Sequence, residues 1–124
     1  MKKVISTTGA PKAVGPYSQA ILAGNTLYIS GQIPVNPADS SIPETIEEQT
    51  AQSLKNIDAI LTEASFSKEN VVKTTVLLSD MNDFAAMNGV YASYFTEDMP
   101  ARACYQVAKL PLGVKVEIEA IAVK

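Results

Sequence analysis

The stretch VKVEIEAIAV, residues 114–123, alternates in character at period two and so reads as a half-buried β-strand. Val116, Ile118, Ala120 and Ala122 fall on one face of it, and Glu117, Glu119, Ile121 and Val123 on the other. A second strand, ARACYQVA (101–108), puts Arg102, Cys104 and Gln106 on one face and Ala103, Tyr105 and Val107 on the other. VVKTTVLLS (71–79) is β-branched and free of Gly and Pro, as an interior strand requires. Towards the N-terminus, KKVIST (2–7) is a short strand, and YSQAILAGNTLYISG (17–31) reads as a hairpin turning at Gly24-Asn25. TGAPKAVGP (8–16) and QIPVNPADSSIP (32–43) are loops, the second because three prolines forbid a continued ladder.

Only two segments carry a helical period. The first starts at Thr45, with Glu48 placed for a capping box, and repeats Ile46, Leu54, Ile57, Ile60, Leu61 and Ala64. The second opens near Asn82-Asp83 and lines up Phe84, Met87, Tyr91 and Phe95, with Asn88 beside that stripe and turned inward. The order β-β-β-α-β-α-β-β predicts an α+β fold, one domain over residues 1–124, with a mixed sheet and both helices on one face. Two helices cannot cover both faces of a sheet. The economical cover for the second face is another copy of the chain.

Composition then limits the chemistry. There is no histidine and one cysteine, Cys104, which excludes Ser-His-Asp and Cys-His nucleophile systems, His- or thiolate-ligated metal sites and an internal disulfide. Acid–base work falls to carboxylates, lysine, tyrosine, backbone groups or a positioned water. A net charge of −3 with scattered basic residues argues against a nucleic-acid surface. No run approaches the ~20 apolar residues of a membrane span, and MKKVISTTG lacks a secretory h-region, so a cytoplasmic location is expected.

Arg102 is the residue that asks for an explanation. A guanidinium cannot be neutralised, so among small apolar neighbours it must meet an anion or keep contact with water. That anion is either a structural carboxylate or a ligand. Glu117 and Glu119 stand about 7 Å apart on a half-apolar strand face. The short turn LPLG (110–113) suggests that the last two strands are hairpin neighbours, which would bring one glutamate towards the anion held by Arg102. Gly31, at the end of LYISG, leaves room for a ligand near the backbone, and Ser30 offers a hydroxyl, although both also suit a simple strand exit. Tyr17, after Gly15-Pro16, reads as core or as a lid, and core is the simpler expectation. Cys104 reads as a small buried hydrophobe whose thiolate the adjacent arginine could favour.

Four blocks, GPYSQA (15–20), LYISGQIP (27–34), NDFAAMNGVYASYF (82–95) and PARACYQVAKLPLGVKVEIEA (100–120), occur in the order and form of one known family. Through them the chain resembles the reactive intermediate deaminase family, also called Rid or YjgF, and within it the enamine/imine deaminase A subgroup. The resemblance spans essentially the whole chain. It implies a chorismate-mutase-like fold, a homotrimer with clefts between subunits, and cofactor-free hydrolysis of 2-enamine or 2-imine acids to 2-keto acids and ammonia. Carried over, Arg102 would clamp the substrate carboxylate and Glu117 would orient or activate water. The Cys104 backbone would contact the reacting end, and Tyr17, Ser30, Gly31 and Asn88 would line the cleft. Two other functions fit the same residues less well. A non-catalytic 2-keto acid sensor would need Arg102 and Ser30 but not Glu117, and a ribonuclease or translation inhibitor would need the basic, aromatic surface that the chain lacks.

Overall fold

The computed structural model describes residues 1–124. Six strands form one mixed sheet: β1 (Lys2–Ile5), β2 (Ala20–Ala23), β3 (Thr26–Gln32), β4 (Val71–Leu78), β5 (Ala101–Gln106) and β6 (Val116–Val123). Two helices, α1 (Ile46–Glu63) and α2 (Phe84–Tyr94), complete the α+β architecture. The spatial order is β1-β2-β3-β6-β4-β5, antiparallel throughout except for the parallel pair β4–β5.

Local chemistry places the elements where the sequence put them. Gly24, at φ +61°, takes the left-handed conformation that the β2–β3 turn needs. Thr45 caps α1 by accepting the Glu48 amide at 3.1 Å, and its hydroxyl donates to the Glu48 carboxylate at 3.0 Å. Ile57, Ile60 and Leu61 of α1 and Met87 of α2 are fully buried against Leu27, Val76, Leu78, Val116 and Ile118 of the sheet. The helices are cross-tied where the Tyr94 hydroxyl donates to Asp58 at 2.6 Å. No helix is long and apolar enough to cross a membrane.

Both helices lie on one face, as the element count predicted. The faces of β6 also divide as expected: Val116, Ile118, Ala120 and Ala122 are buried under the helices, while Glu117, Ile121 and Val123 are half-buried and Glu119 exposed on the other side. That open face also carries Tyr28, opposite Ile21 and Ile121 in the register, and Tyr105 of β5. Tyr28 and Tyr105 are each about half exposed.

One expectation fails. β5 and β6 are not hairpin neighbours, because β4 lies between them, parallel to β5 and antiparallel to β6. The helix α2 separating β4 from β5 is the physical reason, since such a crossover returns the chain parallel to the strand it left. The segment 107–115 then passes over the end of β4. Val107 donates its amide to Leu78 at 2.9 Å, and Ser79 donates to Lys115 at 3.1 Å.

Buried polar side chains fix several of the loops. Gln19 is 4% exposed and accepts the Thr7 amide at 2.7 Å while donating to the carbonyls of Thr7, Ala10 and Pro11. It thereby folds the Gly/Pro loop back on the start of β2. Asn56 on α1 donates to Ile33 and Val35, and Gln49 donates to Pro43 and accepts from Lys115. Each of these amides satisfies backbone groups that a buried loop would otherwise leave unpaired.

Candidate active site

Arg102 is the only arginine in the chain. It stands beside Thr74 in the β4–β5 register, on the face that carries the helices. Its Nη1 donates to the Asn88 side-chain oxygen at 2.7 Å. Its guanidinium carbon lies 4.8 Å from the Tyr91 ring centroid and 5.6 Å from that of Phe84. The bonded partner is therefore a neutral amide, and two aromatic faces attract the charge without neutralising it. One of five N–H donors is spent on Asn88, which leaves the fork free for a planar anion. Within the chain its hydrogen-bonded partner is the Asn88 amide, not a carboxylate.

Asn88 lies beside the α2 stripe and faces inward, as its position predicted, but its oxygen is committed to Arg102 rather than open to a ligand. Cys104 follows on the same face of β5 and is half-buried. Burial pushes its thiol up, and the opposing pull of Arg102 does not reverse that, so the thiolate that the arginine could favour does not form and Cys104 stays a partly buried, protonated thiol.

Glu117 is on the other side of the sheet, beside Leu77 in the β4–β6 register. The expectation that a glutamate approaches Arg102 within the chain is therefore wrong, because the two side chains point to opposite faces. Burial, and secondarily the like charge of Glu119, holds the Glu117 carboxyl above the usual glutamate range. Gly31 sits directly beneath it. A β-carbon at Gly31 would stand 2.9 Å from Glu117 Cδ and 3.1 Å from Cγ. The room that the sequence reserves for a ligand is thus taken by the glutamate, next to a break in the β3–β6 register between Ile29 and Gln32.

Ser30 and Tyr17 belong to this second group. The Ser30 hydroxyl donates to the Ser18 carbonyl at 2.6 Å and its amide donates to Gln19 at 3.0 Å, which anchors the 17–19 segment to β3. Ser30 keeps only its acceptor lone pairs for a ligand. Tyr17 is half exposed rather than core, because the loop that carries it is held by Gln19 at the rim. It borders a hollow of about 640 Å³ with Ser18, Lys12 and Thr7.

The seven expected site residues thus form two groups. Arg102, Asn88 and Cys104 lie on the helix face by the edge strand β5; Glu117, Gly31 and Ser30 lie on the open face, and Tyr17 stands on the loop that Ser30 anchors to β3. Phe84, Tyr91 and Thr74 also contribute to the first group, although the sequence marks them only as core or strand. The signal was present, since Phe84, Asn88 and Tyr91 are spaced i, i+4, i+7 along one helix face.

Comparison with known proteins agrees along nearly the whole length. A family model described as endoribonuclease L-PSP matches residues 7–124. A Mus musculus protein named 2-iminobutanoate/2-iminopropanoate deaminase is 54% identical and covers 100% of this chain and 93% of its own. A protein of the same name from Escherichia coli is 49% identical, with 100% and 99% covered. The crystal structure of TdcF from E. coli with bound serine superposes with a TM-score of 0.96 at 46% identity, covering 98% of each chain.

Proposed function

Because this chain belongs to the endoribonuclease L-PSP family, known also as the Rid or YjgF family, we propose that it hydrolyses 2-imine and 2-enamine acids to 2-keto acids and ammonia. The observation that carries the reading is the division of the site. A lone arginine without an anion lies on one sheet face and a carboxyl of raised pKa on the other. Neither half acts alone on a small acid, but the edge strand β5 of one copy set against the open face of the next brings them together. A closed ring of copies repeats that contact, and a homotrimer with a cleft at each boundary is the assembly that the family resemblance implies.

In that cleft Arg102 binds the substrate carboxylate through two parallel hydrogen bonds, fixing the plane of the acid as well as its charge. An imine carbon is already electrophilic, so the protein has to position a water and move protons. Glu117 accepts a proton from the water as its oxygen adds to C2, giving a tetrahedral carbinolamine. That proton passes to nitrogen; the carbinolamine hydroxyl then gives up its own proton, which Glu117 relays to the amine, and ammonia leaves as the C2–O bond becomes the keto group. A carboxyl raised towards neutrality suits that exchange better than an ordinary glutamate. No cofactor enters the scheme. That TdcF, a similar structure, has bound serine, itself a small α-carboxylate, supports this substrate class.

The family description also names a ribonuclease, which we place behind the other readings. The net charge of −3 and the absence of histidine leave the chain poorly equipped to bind or cleave RNA. A non-catalytic keto-acid binder is the other alternative, and the half-buried placement of Glu117 over Gly31 weighs against it. The test is to generate 2-iminobutanoate in situ with a threonine dehydratase and follow keto-acid release. Acceleration by this protein above the spontaneous rate is expected, and an unchanged rate refutes the deaminase reading.

A further inference from the structure

Arg102 has to present a planar fork to a planar acid, and a free arginine side chain would wander through many rotamers. The structure shows what holds it. Thr74, its neighbour in the β4–β5 register, is fully buried, and its hydroxyl shares a 2.7 Å hydrogen bond with that of Tyr91. Tyr91 is 6% exposed, so packing fixes the ring on α2 and the bond to Thr74 ties its far end to the sheet. The guanidinium carbon of Arg102 lies 4.8 Å from that ring's centroid. Asn88, one turn earlier on α2, takes one of its N–H groups at 2.7 Å.

From this geometry we infer that Tyr91 is a positioning residue: its ring, pinned through Thr74, sets the plane of the Arg102 guanidinium before substrate arrives. Thr74 acts through Tyr91, and Asn88 fixes the rotation of the fork within that plane. Donors ordered in advance lose less freedom on binding, so the arrangement is worth affinity for the acid. The inference rests on the carboxylate-clamp reading above, but its first measurement needs no ligand.

A single arginine makes the test direct, because protein labelled with [15N]arginine yields one guanidinium signal set. In the ligand-free parent, rotation of that guanidinium should be slow and its Nη resonances distinct. Tyr91→Phe and Thr74→Val each remove one hydroxyl of the pair. Each should merge or broaden those resonances and weaken 2-ketobutyrate binding about three- to tenfold. Tyr91→Leu, which removes the ring, should show the same changes more strongly. If that variant does not fold, the two hydroxyl variants decide. A merely structural role would lower Tm in these variants without releasing the guanidinium in the folded state. Parent-like resonances and parent-like affinity in both hydroxyl variants overturn the inference. A parent whose guanidinium signals ignore added 2-ketobutyrate refutes the carboxylate clamp instead, while the ligand-free rotation still reports on Tyr91.

Discussion

Replacing Gly31 by alanine puts a methyl group where the Glu117 side chain now lies. The new carbon would stand 2.9 Å from Cδ and 3.1 Å from Cγ and would overlap the carboxylate itself. Ordinary carbon–carbon contact begins near ~3.5 Å, so the carbons of Glu117 must retreat by roughly 0.5 Å and the overlapped carboxylate oxygen by more than ~1 Å, or the side chain must change rotamer. Gly31 is not among the glycines at positive φ, so the alanine adds steric displacement without backbone strain. An off-rotamer or alternative side-chain placement costs about 1 kcal/mol, which lowers Tm by only about 3 to 6 °C in a chain of this size. Misplacing a group that orients a reactant by ~1 Å costs on the order of a hundredfold in rate. Gly31→Ala should therefore lower kcat for in-situ 2-iminobutanoate about thirty- to a hundredfold. Its affinity for 2-ketobutyrate should change less than about threefold, because Arg102 lies in the other half-site. Steady-state kinetics and calorimetry read the two quantities separately. A folded Gly31→Ala protein with parent-like kcat would show that the placement of Glu117 over Gly31 is irrelevant to catalysis.

Other perturbations test the remaining parts. Arg102→Lys keeps the charge but loses the fork, and kcat/KM should fall by a factor of about thirty to nearly a thousand, or about 2 to 4 kcal/mol; equal turnover would contradict the clamp. Glu119→Gln removes a like charge beside Glu117, so the acidic limb of the kcat/KM profile should move to lower pH; an unmoved limb would assign it to another group. Folding raises the Glu117 pKa, so its contribution to stability is complete below the ordinary glutamate range and is lost as pH rises through the raised value. Denaturant titrations across that window should show this decline in the parent and not in Glu117→Gln. Cys104→Ser should keep most of the activity, since burial holds the thiol protonated, and a loss as deep as that of Arg102→Lys would reveal a thiol role.

Much of the fold was legible because periodicity is a local signal. The alternation at 116–123 separated the buried Val116, Ile118, Ala120 and Ala122 from Glu117 and Glu119, and the Thr45 cap marked the start of α1. Strand order was harder, because pairing is decided by connections rather than by the strands themselves. The helix between β4 and β5 implies a parallel return, yet the short LPLG turn on its own points to a β5–β6 pair that the structure does not form. The same difficulty affected the site. Alternation gave the faces of Arg102 and Glu117 within their own strands correctly, but only the register across β4 shows that those faces are opposite. Tyr17 illustrates a different limit: an aromatic after Gly-Pro looks like core unless one sees Gln19 holding its loop at the rim.

The central claim is that the two half-sites meet between copies of the chain, and a mixture of two inactive variants tests it most directly. Arg102→Ala spoils one half and Glu117→Gln the other. Mixed in equal amounts and allowed to exchange subunits, they should form some clefts that draw an intact Arg102 half from one copy and an intact Glu117 half from its neighbour. With random assortment in a closed ring, about a quarter of the clefts qualify, so imine hydrolysis should recover to roughly a quarter of the parent rate. Activity that stays at the level of the separate variants, after native mass spectrometry has shown the subunits to be mixed, would contradict the account.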